Sequence, residues 1–234
     1  MKIGAIIQAR MGSTRLPGKV LLNLPCESNI PSIMHTVNRV RKSDRIDELV
    51  VATTHSTRDD IILDLMLVND VVVFRGSEDD VLSRYYHAAK KNEFDVVIRI
   101  TADCPCVDYN IIDSMIDLHI CSDADFTSNV FPRSFPKGFD IEIINFSSLC
   151  YVYEFAKTKS DREHVLTYVY KDGNKDRFNI QNYRALDDIT RPEYRVVLDT
   201  KEDYINLCDI FDNLYENNNY FDVSEVVQLL DKRF

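Results

Sequence analysis

Four short apolar runs rich in β-branched residues alternate with amphipathic stretches through the first hundred residues, and that rhythm leaves few architectures open. The runs at 2–8, 48–53, 71–74 and 96–100 are apolar almost throughout, as strands buried on both faces are. Between them, 32–42 places Ile33, Val37 and Val40 on one helical face, and 58–68 carries Ile61, Ile62, Leu65 and Met66. The stretch 79–92 has Val81, Leu82, Tyr85 and Ala89 at helical spacing. Strand and helix in strict alternation predict an α/β chain, with a mostly parallel sheet covered by helices on both faces.

The second half is less regular. Residues 108–120 read as a helix after the Asp103-Cys104-Pro105 turn, 126–129 and 138–144 as strands, and 147–158 and 161–170 as helices. Segments 179–183 and 194–198 read as extended, and 201–214 and 224–232 as closing helices. With no repeat, low-complexity tract or long linker, one continuous domain is expected. Its nucleotide-binding half would be 1–123, an irregular insertion for acceptor binding and dimerisation 124–192, and a closing strand and helices 193–234.

Charge narrows the partners. The 234 residues are 45% hydrophobic and 28% charged, ordinary globular composition, with a net charge of −10 that argues against a nucleic-acid binder. That average hides a gradient: residues 1–45 hold eight basic side chains against two acidic, and residues 196–234 nine acidic against three basic. No stretch is long enough to span a bilayer, and the apolar start at 3–7 is too short for a signal-peptide core. A cytoplasmic location is expected. The six cysteines agree, being scattered without a CxxC pair or a His at zinc spacing, and free thiols are expected at Cys104 and Cys106.

The basic start concentrates in the loop after the first strand, Gln8-Ala9-Arg10-Met11-Gly12-Ser13-Thr14-Arg15-Leu16-Pro17-Gly18-Lys19. Ligands of open α/β sheets sit outside the carboxyl ends of the strands, where this loop begins. Two glycines, two hydroxyls and three cations suit a polyphosphate. The spacing is not that of a Walker A loop, since five residues separate the glycines and Val20 follows the lysine; GxGxxG is absent. Two further strand ends carry an aspartate. Asp103 follows 96–100 and suits a Mg²⁺ ion, because Asp108 is better placed to cap the next helix. Asp199 follows 194–198, where capping of 201–214 and metal binding are equally open.

The opening loop resembles that of the spore-coat-polysaccharide cytidylyltransferase-like family, relatives of the acylneuraminate and 3-deoxy-manno-octulosonate cytidylyltransferases. The resemblance continues through Val51-Ala52-Thr53, through Phe74-Arg75-Gly76-Ser77-Glu78-Asp79-Asp80-Val81-Leu82 with Arg84-Tyr85-Tyr86, and through Arg99-Ile100-Thr101-Ala102-Asp103-Cys104-Pro105. It resumes at Phe135-Pro136-Lys137-Gly138-Phe139-Asp140-Ile141-Glu142, Arg162-Glu163-His164-Val165 and Leu198-Asp199-Thr200. It implies a three-layer nucleotide-diphospho-sugar transferase (GT-A-like) fold with a mostly parallel mixed central sheet. The activity it implies is Mg²⁺-dependent cytidylyl transfer from CTP to a small anionic acceptor such as an acidic sugar, with pyrophosphate leaving. By the same resemblance Arg10, Lys19 and Asp103 are catalytic, and Asp103 and Asp199 hold the metal. The implied nucleotide site comprises Gln8, Ala9, Arg10, Gly12, Ser13, Arg15, Lys19, Ala52, Thr53, Arg75, Thr101 and Ala102. The acceptor side is assigned to Arg133, Lys137, Asp140, Glu142, Glu163 and His164, and a homodimer is implied. Two departures stand out: Ala102 replaces the usual glycine, and 26–31 replaces a shorter Gly-Lys-Pro.

Two other classes fit parts of the pattern. A glycosyltransferase of the same fold would want the strand-end aspartate and metal, but not three cations for a departing pyrophosphate. A catalytically silent nucleotide-binding homologue would not need Arg10, Lys19, Asp103 and Asp199 intact.

Overall fold

The computed structural model describes residues 1–171 and 173–233. The apolar runs form β1 (Ile3–Gln8), β2 (Glu48–Thr54), β3 (Val72–Gly76) and β4 (Val96–Thr101). The amphipathic stretches form α1 (Ser32–Val40), α2 (Asp60–Val68), α3 (Val81–Lys91) and α4 (Tyr109–Cys121). Three short strands follow, β5 (Phe126–Ser128), β6 (Glu142–Asn145) and β7 (Ile180–Asn182), with α5 (Phe146–Phe155), α6 (Lys159–His164) and α7 (Thr167–Tyr170) between the last two. The helices α8 (Lys201–Leu214) and α9 (Val223–Asp231) close the chain.

All seven strands share one sheet in the order β3-β2-β1-β4-β6-β5-β7. β1 runs parallel to both β2 and β4, so Gln8, Ala52 and Thr101 end side by side. β6 is antiparallel to β4 and to β5, which makes the sheet mixed. Alternation along each strand divides the core in two. Ala5, Ile7, Val51, Ile98 and Ile143 face α1, α2, α4, α8 and α9. Ile6, Val50, Ala52, Val97 and Ile144 face α3, α5 and α7. The expected three-layer α/β architecture is therefore present.

Helix starts follow local chemistry. Asp80 caps α3 by accepting from the Ser83 amide, and Asp108 caps α4, as expected, by accepting from that of Asn110. At α8, Thr200 and Asp203 form a reciprocal capping box. The cap of α8 is thus Thr200, which leaves the Asp199 side chain free of that job.

Four expectations differ. Residues 194–198 are extended but form an isolated bridge, between Lys137 and Arg195, in place of a strand of the sheet. Of 138–144, only the end from Glu142 pairs as a strand. The helix expected over 161–170 breaks at Val165, whose φ of 56° no helix tolerates. Cys26 and Cys208, 182 residues apart, form a disulfide that ties the 26–31 loop to α8; scattered spacing gave no sign of it. Cys104 and Cys106 are buried free thiols, as expected.

His35 on α1 is buried, hydrogen-bonded to the Leu24 carbonyl and packed edge-on against Phe211 and Tyr215. Burial lowers its pKa to about 4, outweighing the Leu24 carbonyl, with the Arg39 charge pushing the same way as burial. An unfolded chain takes that proton near pH 6.5 while the folded one refuses it, so stability is lost as pH falls from 6.5 towards 4. Burial lowers His119 too and adds a share in the same direction. We expect His35→Gln, which keeps a donor for Leu24, to flatten this decline by up to about 3 kcal/mol. Urea midpoints at pH 7 and pH 5 check it, and an unchanged difference would refute it.

Candidate active site

The carboxyl ends of β1 and β4 open onto a cavity of about 380 Å³. Its floor is set by main-chain pairing: the Ala9 amide donates to the Ala52 carbonyl at 3.1 Å and the Ala102 amide to that of Gln8 at 3.0 Å. The loop after β1 is held by Asp59, whose carboxylate accepts from the Met11 amide at 2.7 Å and from the Thr54 hydroxyl. The Met11 carbonyl then accepts from the amides of Ser13 and Gly18. Gly18 has a φ of 70°, a left-handed conformation that turns the chain into the short 3-10 turn beginning at Lys19. That turn aims the Lys19 ammonium into the cavity.

The two aspartates are joined through the main chain. The Leu198 amide donates to the Asp103 carbonyl at 2.8 Å, which sets Asp199, the next residue along, beside Asp103 on the cavity wall. Lys19 Nζ lies 2.7 Å from Asp103 Oδ2 and 3.1 Å from Asp199 Oδ1. Arg15 Nη2 reaches Asp199 Oδ2 at 2.8 Å, and Arg195 reaches it at 3.3 Å. Burial pushes the Asp199 carboxyl up. The Lys19 hydrogen bond and the charges of Lys19, Arg15 and Arg195 outweigh that and hold it below the usual carboxylate range. Two hard-oxygen carboxylates thus already converge on one positive charge. They suit a magnesium-type ion, which takes one or two carboxylates and completes its shell with phosphate and water. Among the described residues no cluster of three or more His, Cys, Asp or Glu side chains is placed to hold a metal.

Most of the loop and strand-end residues expected at the site line this cavity: Gln8, Ala9, Arg10, Ser13, Arg15, Lys19, Thr101, Ala102, Asp103 and Asp199. Glu163 and His164 line it too, brought in where α6 ends. At that point Val165 (φ 56°, ψ −70°) forms a γ-turn in which the Leu166 amide donates to the His164 carbonyl at 2.7 Å. A β-branched residue there is strained, and strain of this kind gathers at functional sites.

Other expected residues lie elsewhere. Gly12 sits in the loop but does not line the cavity, and Ala52 and Thr53 are fully buried in β2. Arg75 is taken up by Asp60 at 2.7 Å and by the carbonyls of Thr54 and Ser56. Arg133 and Asp140 satisfy each other in a two-pronged pair at 2.6 and 2.8 Å, away from the cavity. Lys137 is exposed. Glu142 stands behind Arg99, which does line the cavity and also contacts Gln8. Sequence reasoning assigned no site role to Arg99 or Arg84; the signal for Arg99 was a charged residue inside an otherwise apolar central strand.

The sequence profile of the cytidylyltransferase family matches residues 4–227. The chain belongs to the cytidylyltransferase family. It is 34% identical to the spore coat polysaccharide biosynthesis protein SpsF of Bacillus subtilis over 233 residues, covering 97% of this chain and 93% of that one. A cytidylyltransferase structure from Leptospira borgpetersenii superposes with a TM-score of 0.92 at 34% identity, over 100% of this chain and 95% of that one. The structure of a CMP-2-keto-3-deoxy-manno-octonic acid synthetase complexed with CTP gives a TM-score of 0.66 at 15% identity, over 91% and 99%. That last likeness shows the shared nucleotidyltransferase α/β fold. Within this family member, no helix among the described residues is long and apolar enough to cross a membrane.

Removing the Lys19 ammonium would leave Asp103 and Asp199 facing each other without the cation between them. Lys19→Met is expected to lower the melting temperature by about 2–4 °C, the shift of roughly 1 kcal/mol in a chain this size. Added Mg²⁺ should then raise the variant's melting temperature more than the wild type's. Equal Mg²⁺ responses in paired thermal scans would count against the convergence of these carboxylates on a cation.

Proposed function

We propose that this cytidylyltransferase-family protein moves the cytidylyl group of CTP to an oxygen of a small anionic acceptor, an acidic sugar being the leading class, and releases pyrophosphate. The observation that carries the reading is the meeting of Lys19, Asp103 and Asp199 in one cavity with Arg10, Arg15, Ser13 and the loop after β1. A triphosphate needs such a loop, and its α-phosphorus would lie beside the two carboxylates. The kinship with a polysaccharide-biosynthesis protein and the fold shared with a CTP-bound synthetase support the acceptor class and the nucleotide. A 3-deoxy-manno-octulosonate cytidylyltransferase of Bdellovibrio bacteriovorus, 37% identical over 121 residues, covering 51% of this chain and 47% of that one, supports them too.

The acceptor oxygen would attack the α-phosphorus in line as the bond to the bridging oxygen of pyrophosphate breaks. Catalysis would be chiefly positioning and charge stabilisation. Arg10, Arg15 and Lys19 would grip the phosphates, with Lys19 and Arg10 stabilising charge on the leaving group. Glu163 and His164, which line the same cavity, would orient the acceptor and take its proton. Asp103 and Asp199 would hold Mg²⁺, which when bound supplies charge neutralisation at the phosphate. On this reading the acceptor side would be Glu163, His164 and the Arg99–Glu142 pair. The nucleotide half would then be drawn from 1–123 and one metal ligand from 193–234.

Asp103→Asn keeps the size of the side chain but removes its charge. We expect it to retain the far-ultraviolet circular dichroism of the wild type while pyrophosphate release from CTP, Mg²⁺ and a panel of sugar acids falls at least about 100-fold. Unchanged turnover would remove Asp103 from the metal site. Failure of the wild type to turn over or bind CTP would remove the function itself.

A further inference from the structure

Arg84, on the sheet-facing side of α3, is 2% exposed, yet its Nε and Nη1 have no hydrogen-bond partner among the described residues. It lines the same cavity as Arg10, Ser13 and Lys19. The carboxylates nearest to it electrostatically are Asp59 and Glu78, and both are committed elsewhere. Asp59 accepts from Met11 and Thr54, and Glu78 is held by Arg58 at 3.0 Å. Burial lowers the pKa of the guanidinium, and the neighbouring Arg10 charge lowers it further against the pull of Tyr85 and those two acids.

The fold makes room for this side chain. A Cβ on Gly76, at the end of β3, would lie 2.6 Å from Arg84 Cγ. The arginine stem therefore crosses the strand end where only a glycine lets it lie. A buried cation with donors left over is costly, and other cavity arginines are better satisfied: Arg99 has Glu142 and Arg15 has Asp199. What completes such a group is a ligand. With Arg10 within electrostatic reach and lining the same cavity, a single carboxylate would meet only one of two positive charges, whereas a polyphosphate brings several negative charges.

Resting on the cytidylyl-transfer reading, we propose that Arg84 is a phosphate receptor of the active site, donating its free N–H groups to the triphosphate of the bound nucleotide alongside Arg10. The guanidinium is held ready in the ligand-free protein at a cost to its stability, and phosphate binding recovers that cost. A purely structural arginine would show the opposite balance, because removing it would weaken the fold.

Arg84→Met, which keeps the stem and deletes the charge, separates the two. The full chain is titrated calorimetrically with inorganic pyrophosphate and with CTP, each with Mg²⁺, and melted without ligand. The expected result is a ligand-free melting temperature at or above that of the wild type, with both dissociation constants raised about 10- to 100-fold, as for loss of hydrogen bonds to a charged group. Unchanged affinities overturn the proposal, and so does a ligand-free melting temperature several degrees lower. If Arg84→Met does not fold, Arg84→Lys decides: it keeps the charge with a shorter reach and must still weaken pyrophosphate binding, so wild-type affinity overturns the proposal. A wild-type protein that binds neither pyrophosphate nor CTP would instead overturn the cytidylyl-transfer reading.

Discussion

The Lys19 ammonium, held between Asp103 and Asp199, is the contact on which the rest of the site depends. It draws together the loop after β1, the end of β4 and the segment leading into α8, which are 84 and 180 residues from Lys19 along the chain. Two carboxylates brought this close would repel, and their burial would favour protonation. A cation between them removes both difficulties. The Lys19 hydrogen bond and the cations around Asp199 outweigh its burial and hold its carboxyl below the usual carboxylate range. The main-chain bond from Leu198 to Asp103 fixes the spacing so that the side chains need not search for it. The arrangement is ready before any ligand arrives, which is how a site that acts by positioning keeps its reorganisation small.

The first half of the fold was legible because its pattern is redundant. Each strand is apolar on both faces, each helix has one apolar stripe, and the parallel order follows from their alternation. The second half was less so. β5, β6 and β7 are three or four residues long, too short to carry a period, and the mixed character of the sheet comes from them. The break at Val165 had no sequence signal at all, since a valine is the last residue to expect at positive φ. What holds it there is tertiary: Val165 and Leu166 are both buried in the cluster under α3 and α5. The Cys26–Cys208 pair is invisible for a related reason, because only the docking of α8 against the 26–31 loop brings its halves together.

Within the site, position in the strand-end loops was readable and partnership was not. Arg10, Arg15, Lys19 and Asp103 follow from where the loops leave the sheet, whereas Asp199 stood out only through the family resemblance. Arg75 and Arg133 looked equally eligible, but each has a carboxylate neighbour, Asp60 and Asp140, that meets its charge away from the cavity. In the linear sequence all five cations are the same kind of residue. Only the folded chain shows which are already neutralised.

That distinction gives the charge gradient its physical meaning. An acidic protein offers carboxylates in excess, so an arginine or lysine left over inside it is the exception. Arg84 is such an exception, and it lies on the cavity wall with no acid given to it. Acids stand close by in the chain, since Asp80 caps α3 and follows Glu78 and Asp79. Asp80 instead holds Arg162, one residue before the cavity-lining Glu163 and His164. Asp80 thus braces the wall that carries Glu163, while the arginine one turn further on keeps its N–H groups for whatever enters. A site built to receive a highly charged anion has to leave some of its positive charge unspent, and the pairing around α3 does so.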